Sequence, residues 1–209
     1  MIESRIAILF LVAAIAVIAA PGPDILYVLA RGLSGGKRIG CISAVGIASG
    51  EVLHTLLAVF GLAALLQASA KGFLIVKLAG AFYLVYLGVR MFRDRNHFDV
   101  PQSLAPSSNW RAFRQGVLTN LFNPKAILFY VTFLPQFVNM GRGHAQLQLM
   151  VLGLTFAILD VTFLAVLALT AGHFNTWLIR KPKNAERLRF ATGSLLVALG
   201  VRLAFTERN

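Results

Sequence analysis

Long stretches without a charged side chain govern what this chain can become. Residues 6–20 carry no charge, and residues 52–70 hold His54 among otherwise uncharged neighbours. Residues 147–159 and 161–171 flank the single acid Asp160. At about 1.5 Å of helix rise per residue, a run near twenty residues spans the ~30 Å hydrocarbon core of a bilayer. The balance of residues agrees: 57% are hydrophobic and 13% charged, against about 25% charged in a soluble domain. The expected fold is an all-α integral membrane protein with about six transmembrane helices and nothing large outside the bilayer.

The formal net charge of +12 does not point to nucleic acid. Binders of nucleic acid place basic residues on a solvated face, whereas these basic residues sit at the ends of apolar runs and act as topology signals. The one cysteine, Cys41, cannot form an internal disulfide, and His54, His97, His144 and His173 lack metal-ligand spacing. No metal and no cofactor is expected. The first apolar run is long and ends in Ala19-Ala20-Pro21, which argues against a cleaved signal.

The spans read as 5–30, 39–66, 72–92, 116–138, 147–171 and 190–205, the last interrupted by Arg202. The connector 93–111 is polar, with Pro101 and Pro106, and reads as a loop between two halves. Basic residues concentrate in alternate connectors: Arg31, Lys37 and Arg38, then Arg90, Arg93, Arg95, Arg111 and Arg114, then Arg180, Lys181, Lys183, Arg187 and Arg189. The other side holds only Arg5, Lys71, Arg142, Arg202 and Arg208. By the positive-inside rule the first group is cytoplasmic and both termini lie outside.

The halves echo each other. Leu87-Gly88-Val89-Arg90 is matched by Leu199-Gly200-Val201-Arg202, and Gly80-Ala81 by Gly193-Ser194. Pro21-Gly22-Pro23-Asp24 is matched by Phe122-Asn123-Pro124-Lys125. The chain is thus expected to be one transporter domain, 1–209, with repeat one over 1–92, a cytoplasmic loop at 93–111 and repeat two over 112–209. Three spans per half would invert one repeat relative to the other. Inverted repeats with paired broken helices mark transporters, and the breaks point to the binding site.

Residues 6–20 are too short to cross alone, so Pro21-Gly22-Pro23 falls within the membrane and the following residues complete the span. Proline removes a donor and glycine opens the backbone, leaving carbonyls ending one half-helix and N–H groups starting the next. Such ends attract ammonium groups and carboxylates respectively. Asn123-Pro124-Lys125 reads as a second helix start, with Asn as cap and Pro at the first helical position. Segment 111–121 before it is expected to be partly re-entrant or interfacial, so that the two breaks face one another near mid-depth. The hinge candidates are therefore Pro21, Gly22, Pro23 and Pro124.

Ionisable residues inside spans are functional candidates. Here they are Asp24, Glu51, His54, Lys125 and Asp160, to which Asn123 is added; Lys77 is expected to snorkel to the nearer surface. Glu51 and His54 share one helix face. Buried carboxyls are suited to carrying protons; the competing reading is a structural ion pair of Glu51 or Asp160 with Lys125. Gly40, Gly46 and Gly50 give the second span a small-residue face for close packing, compatible with a homodimer. Trp110, Trp177 and Tyr83 read as interface anchors.

These features together resemble the lysine exporter (LysE/RhtB) family of bacterial amino-acid exporters. The resemblance rests on Pro21-Gly22-Pro23-Asp24 with the stretch to Gly50, on Lys77-Leu78-Ala79-Gly80-Ala81, on 120–125, and on Pro135-Gln136-Phe137. It implies a six-span protein of the bacterial inner membrane that exports amino acids or close derivatives, driven by the proton gradient. The resemblance implies a homoserine- or threonine-type or other neutral amino acid, or lysine, as substrate, and does not say which one. The partners implied are that small molecule, protons and the lipid bilayer. Other readings remain at this point: export of an inorganic cation, an intramembrane enzyme, or a membrane assembly factor. An enzyme would need a nucleophile–base or metal constellation, and His54 near Ser49 is poorly placed for one. A non-enzymatic transporter is expected.

Overall fold

The computed structural model describes residues 4–62, 70–93, 108–173 and 182–205, and these are helical with no strand among them. In chain order the helices are α1 (Ser4–Ala19), α2 (Pro23–Leu57), α3 (Ala70–Arg93), α4 (Asn109–Leu121), α5 (Pro124–Leu128), α6 (Ala145–Leu169) and α7 (Pro182–Phe205). A π-helical turn, Ala58–Leu62, extends α2. A π turn, Phe129–Phe133, and a 3-10 turn, Leu134–Phe137, extend α5. The connector 94–107, His97, Trp177 and the side chain of Lys77 lie outside what is described.

Two prolines set the first break. Pro21 disfavours helix at Ala20 before it, and α1 stops at Ala19. Pro23 then occupies the first position of α2, with extended Gly22 as its cap, where a missing N–H costs nothing. The second break has the same construction. Helix α4 ends at Leu121 and α5 opens on Pro124, with an angle of 50° between α4 and the segment Pro124–Phe137.

Helix α2 is a hairpin. Gly36 (φ 77, ψ 175) leaves the helical region, in backbone space that only glycine occupies without strain. A Cβ on Gly40 would stand 3.0 Å from the Cα of Gly32. Those residues would be about 12 Å apart in an unbroken helix, so the arms 23–35 and 37–57 fold back on each other. This corrects the expectation of a connector over 31–38. Arg31 is helical and buried, bonding Gln115 Oε1 and lying 5.6 Å over the Tyr27 ring.

Among the described residues two helices are long and apolar enough to cross a membrane, or three if the bent pair is one span. Segment 116–138, expected as one span, is that bent pair. Large apolar side chains point outward throughout, including Ile15 at 57%, Phe82 at 75% and Val166 at 56% exposure. Asp24, Glu51, Asn120, Asn123 and Asp160 are buried instead. Apolar outside and polar inside is the arrangement that a lipid surround favours.

Lipid gives helices little hydrophobic reason to associate, so close backbone packing at small residues does that work. Helix α4 lies on the second arm of α2, where a Cβ on Gly46 would meet the Phe113 carbonyl oxygen at 2.3 Å. Helices α3 and α7 pair through Gly88, against the Gly193 carbonyl, and Gly200, against the Ala81 carbonyl. Gly32 and Gly40 pack on Ala168 of α6, while Gly153 of α6 meets Thr55, so α6 runs antiparallel to the second arm of α2.

The ends of the bundle follow from these contacts. Gly46 packs on Phe113 and Gly50 on Asn120, so α4 begins on the side of the Gly36 turn and runs away from it, and Tyr27 donates to the Ala112 carbonyl at 2.8 Å. At the other end Phe10 of α1 meets Phe137 edge-on at 5.3 Å. Each broken helix therefore has one half toward each end, and the breaks meet between.

Candidate functional site

The first half-helix ends on carbonyls that its own backbone cannot satisfy. Lys125 reaches them from the second break: its Nζ donates to the carbonyls of Val17 and Ala20, both at 3.1 Å. Hydrogen bonds from a charged group contribute about 1.5–3 kcal/mol each, so this contact holds α1 against α5. The Lys125 stem passes Gly22, where a Cβ would stand 3.6 Å from Nζ. The free carbonyls expected before Pro21 are thus occupied. The ammonium that α1 attracts is the protein's own, and this corrects the idea that they lie open.

Asp24 makes the reverse reach. It lies in the first turn of α2 and accepts from Asn123 Nδ2 at 2.6 Å and Asn120 Nδ2 at 3.3 Å. Asn123 also caps α5, its Oδ1 accepting from the Lys125 N–H at 2.9 Å, as the Asn-Pro-Lys order leads one to expect. Lys125 lies close enough to act on the Asp24 charge through space.

His54 and Glu51 both face inward from the second arm of α2, as their spacing predicts. His54 Nε2 is 3.4 Å from the Asn120 carbonyl oxygen, and its ring stacks on Tyr130 at 5.4 Å. Tyr130 donates to the Gly153 carbonyl at 3.4 Å. Asp160 enters from α6, and its carboxyl is within hydrogen-bonding reach of Glu51. The competing reading, an ion pair between Lys125 and Glu51 or Asp160, is not what the lysine makes, because the Lys125 hydrogen bonds go to main-chain carbonyls. All six polar site candidates thus fall in one cluster, with Pro21, Gly22, Pro23 and Pro124 forming its two breaks.

Three buried acceptors in this cluster have no hydrogen-bond partner: Asp24 Oδ1, Glu51 Oε2 and Asn120 Oδ1. The spare acceptors of Asp24 and Asn120, neighbours at the two breaks, are matched to a ligand that brings donors. No group of three His, Cys, Asp or Glu among the described residues is placed to hold a metal ion.

Sequence reasoning passed over Asn120, Tyr130 and Thr55. Asn120 carried a signal as a second amide three residues before the Asn123 cap; the turn between them, in which the Asn123 N–H donates to the Asn120 carbonyl at 2.9 Å, brings both to Asp24. Tyr130 and Thr55 sit in apolar runs and become site neighbours only through packing. Thr55 bonds the Glu51 carbonyl at 2.9 Å.

The LysE type translocator family matches residues 15–207. An uncharacterized membrane protein of Pseudomonas aeruginosa is 35% identical over 193 residues, covering 90% of this chain and 89% of its own. A leucine efflux protein of Salmonella typhimurium is 31% identical over 198 residues, covering 93% and 92%. A membrane protein of Bacillus subtilis is 30% identical over 191 residues, covering 87% and 90%. No solved structure matches the chain. The family match spans nearly the whole chain, both breaks included, and the protein belongs to the LysE type translocator family.

Proposed function

We propose that the protein exports neutral amino acids or close derivatives from the cytoplasm across the bacterial inner membrane, in exchange for protons. Leucine is the first substrate to test, because relatives 31% identical are named for leucine efflux; homoserine, threonine and lysine follow. The observation that carries the reading is the pair of facing helix breaks, whose charged residues Asp24 and Lys125 each bind the opposite break. N–H groups opening α2 and α5 attract a substrate carboxylate, and the spare acceptors on Asp24 and Asn120 suit its ammonium group.

The order helix, break, helix, reversal, long helix, helix occurs in both halves, which supports two inverted repeats and six spans. The reciprocal contacts of Gly88 with Gly193 and Gly200 with Ala81 fit a two-fold relation between them. Rocking one half against the other would expose the breaks to each side in turn. The termini are then outside and the Gly36 turn cytoplasmic.

The test is excretion. Bacteria loaded with amino acids from fed dipeptides are compared for wild type, Asp24→Asn and empty vector at matched membrane levels. Selective excretion by wild type that is lost in Asp24→Asn supports the reading. No amino acid above the empty-vector level removes it.

A further inference from the structure

Glu51 and Asp160 form a second feature beside the breaks. Glu51 is 2% exposed on the second arm of α2 and Asp160 5% exposed on α6. The packing of Gly153 on Thr55 and of Gly40 on Ala168 brackets the two residues on these antiparallel helices and brings their carboxyl groups within hydrogen-bonding reach. An ionised carboxylate only accepts, so two carboxyls bond to one another only with a proton between them. Like charges at that separation do not both persist in a buried site.

The other charged and titratable groups around the pair do not supply a direct bond. Lys125 acts on both carboxyls through space while its Nζ stays on the α1 carbonyls. Asp24 acts through space from the first arm of α2. His54 is turned to Asn120 and Tyr130, and the Tyr130 hydroxyl to Gly153. Glu51 Oε2 is left without a partner.

We propose that Glu51 and Asp160 share one proton and are the proton-binding site that couples transport to the proton gradient. The proposal rests on the export reading above. The pair bridges α2 and α6, antiparallel neighbours that belong to different halves of the chain. With the shared proton bound, the carboxyls draw those helices together. When the proton leaves to the cytoplasmic side, both carboxylates are charged and repel. The interface between the halves is then pushed open, until a proton from the outer side restores the bond. One proton moves and no other bond is made or broken.

The test uses the purified full chain in proteoliposomes with radiolabelled leucine, threonine and lysine. Exchange against unlabelled internal amino acid at equal pH is compared with accumulation driven by an acid interior. Wild type should show both. Glu51→Gln and Asp160→Asn should keep exchange and lose the gradient-driven excess, falling to the level without a gradient. Glu51→Asp and Asp160→Glu, which retain two carboxyls, should keep part of it. Undiminished accumulation in both neutral variants overturns the proposal. So does loss of exchange together with accumulation in both, which makes the pair structural.

A second measurement needs no transport. Wild-type protein should show the infrared carbonyl stretch of a protonated carboxyl at neutral pH, lost in the Glu51→Gln/Asp160→Asn double variant. Its absence from wild type overturns the shared proton. If wild type moves none of the three amino acids, the export reading fails while the infrared band still decides the protonation of the pair.

Discussion

Asp24 and Lys125 stand at the same place in two different helices, directly after the proline that opens each, and each reaches across to the other's break. The Lys125 Nζ holds the Val17 and Ala20 carbonyls at 3.1 Å, while Asp24 accepts from Asn123 at 2.6 Å. The two half-helix ends are thereby tied by side chains of opposite sign. A change that moves one break is transmitted to the other through these bonds.

Lys125→Met should release the end of α1. The loss of two hydrogen bonds from a charged donor, at about 1.5–3 kcal/mol each, costs about 3–6 kcal/mol, read as a lower melting temperature in detergent. Excretion should fall at least roughly tenfold, the equivalent of about 1.4 kcal/mol. Wild-type excretion and melting in Lys125→Met would show that the contact is incidental.

Asp24→Asn replaces a charge-assisted acceptor by a neutral one, about half as strong. If the breaks act as one unit, the stability losses of Asp24→Asn and Lys125→Met will not add in the double variant. An interaction energy of about 0.5–3 kcal/mol is expected for coupled neighbours. Strict additivity in a thermal double-mutant cycle would separate the two contacts.

Three glycines should respond differently. Gly46→Val places a side chain where even a Cβ is 2.3 Å from the Phe113 carbonyl oxygen, so α4 must leave α2 and the folded yield should collapse. Gly36→Ala has open space but φ 77 and ψ 175, and costs about 1–3 kcal/mol from backbone strain alone. Gly61→Ala has nothing within 4 Å and should be silent. Size-exclusion profiles and melting curves rank the three; an order other than Gly46→Val, Gly36→Ala, Gly61→Ala contradicts the packing argument.

Orientation is open to labelling. In a Cys41→Ser background, Ser108→Cys should react with a membrane-impermeant thiol reagent only from the cytoplasmic side, and Gly141→Cys only from outside. Labelling of both from the same face would contradict the bent crossing between α4 and Phe137.

Much of this was written in the one-dimensional order of residues. Uncharged runs imply helices in lipid because an unpaired backbone group is too costly there. Pro21-Gly22-Pro23 and Asn123-Pro124 announce breaks because proline and glycine act locally, through their own dihedrals and missing donor. The cap made by Asn123 is local in the same way. Gly36 is legible only in part: in a run of small and polar residues it looks like a connector, whereas its single φ of 77 turns the chain within one residue.

Partner choice needed the fold. No local rule tells whether Lys125 will meet a carboxylate or the carbonyls of Val17 and Ala20, since that depends on where α1 ends relative to α5 in space. Nor could the residues between 51 and 160 announce that Glu51 and Asp160 would face each other. Contacts separated by that length of chain are set by the packing of whole helices, here at Gly46 against Phe113 and Gly40 against Ala168. Local chemistry placed the charges and the breaks in the chain. The close approach of glycine-bearing helices decided which of them meet.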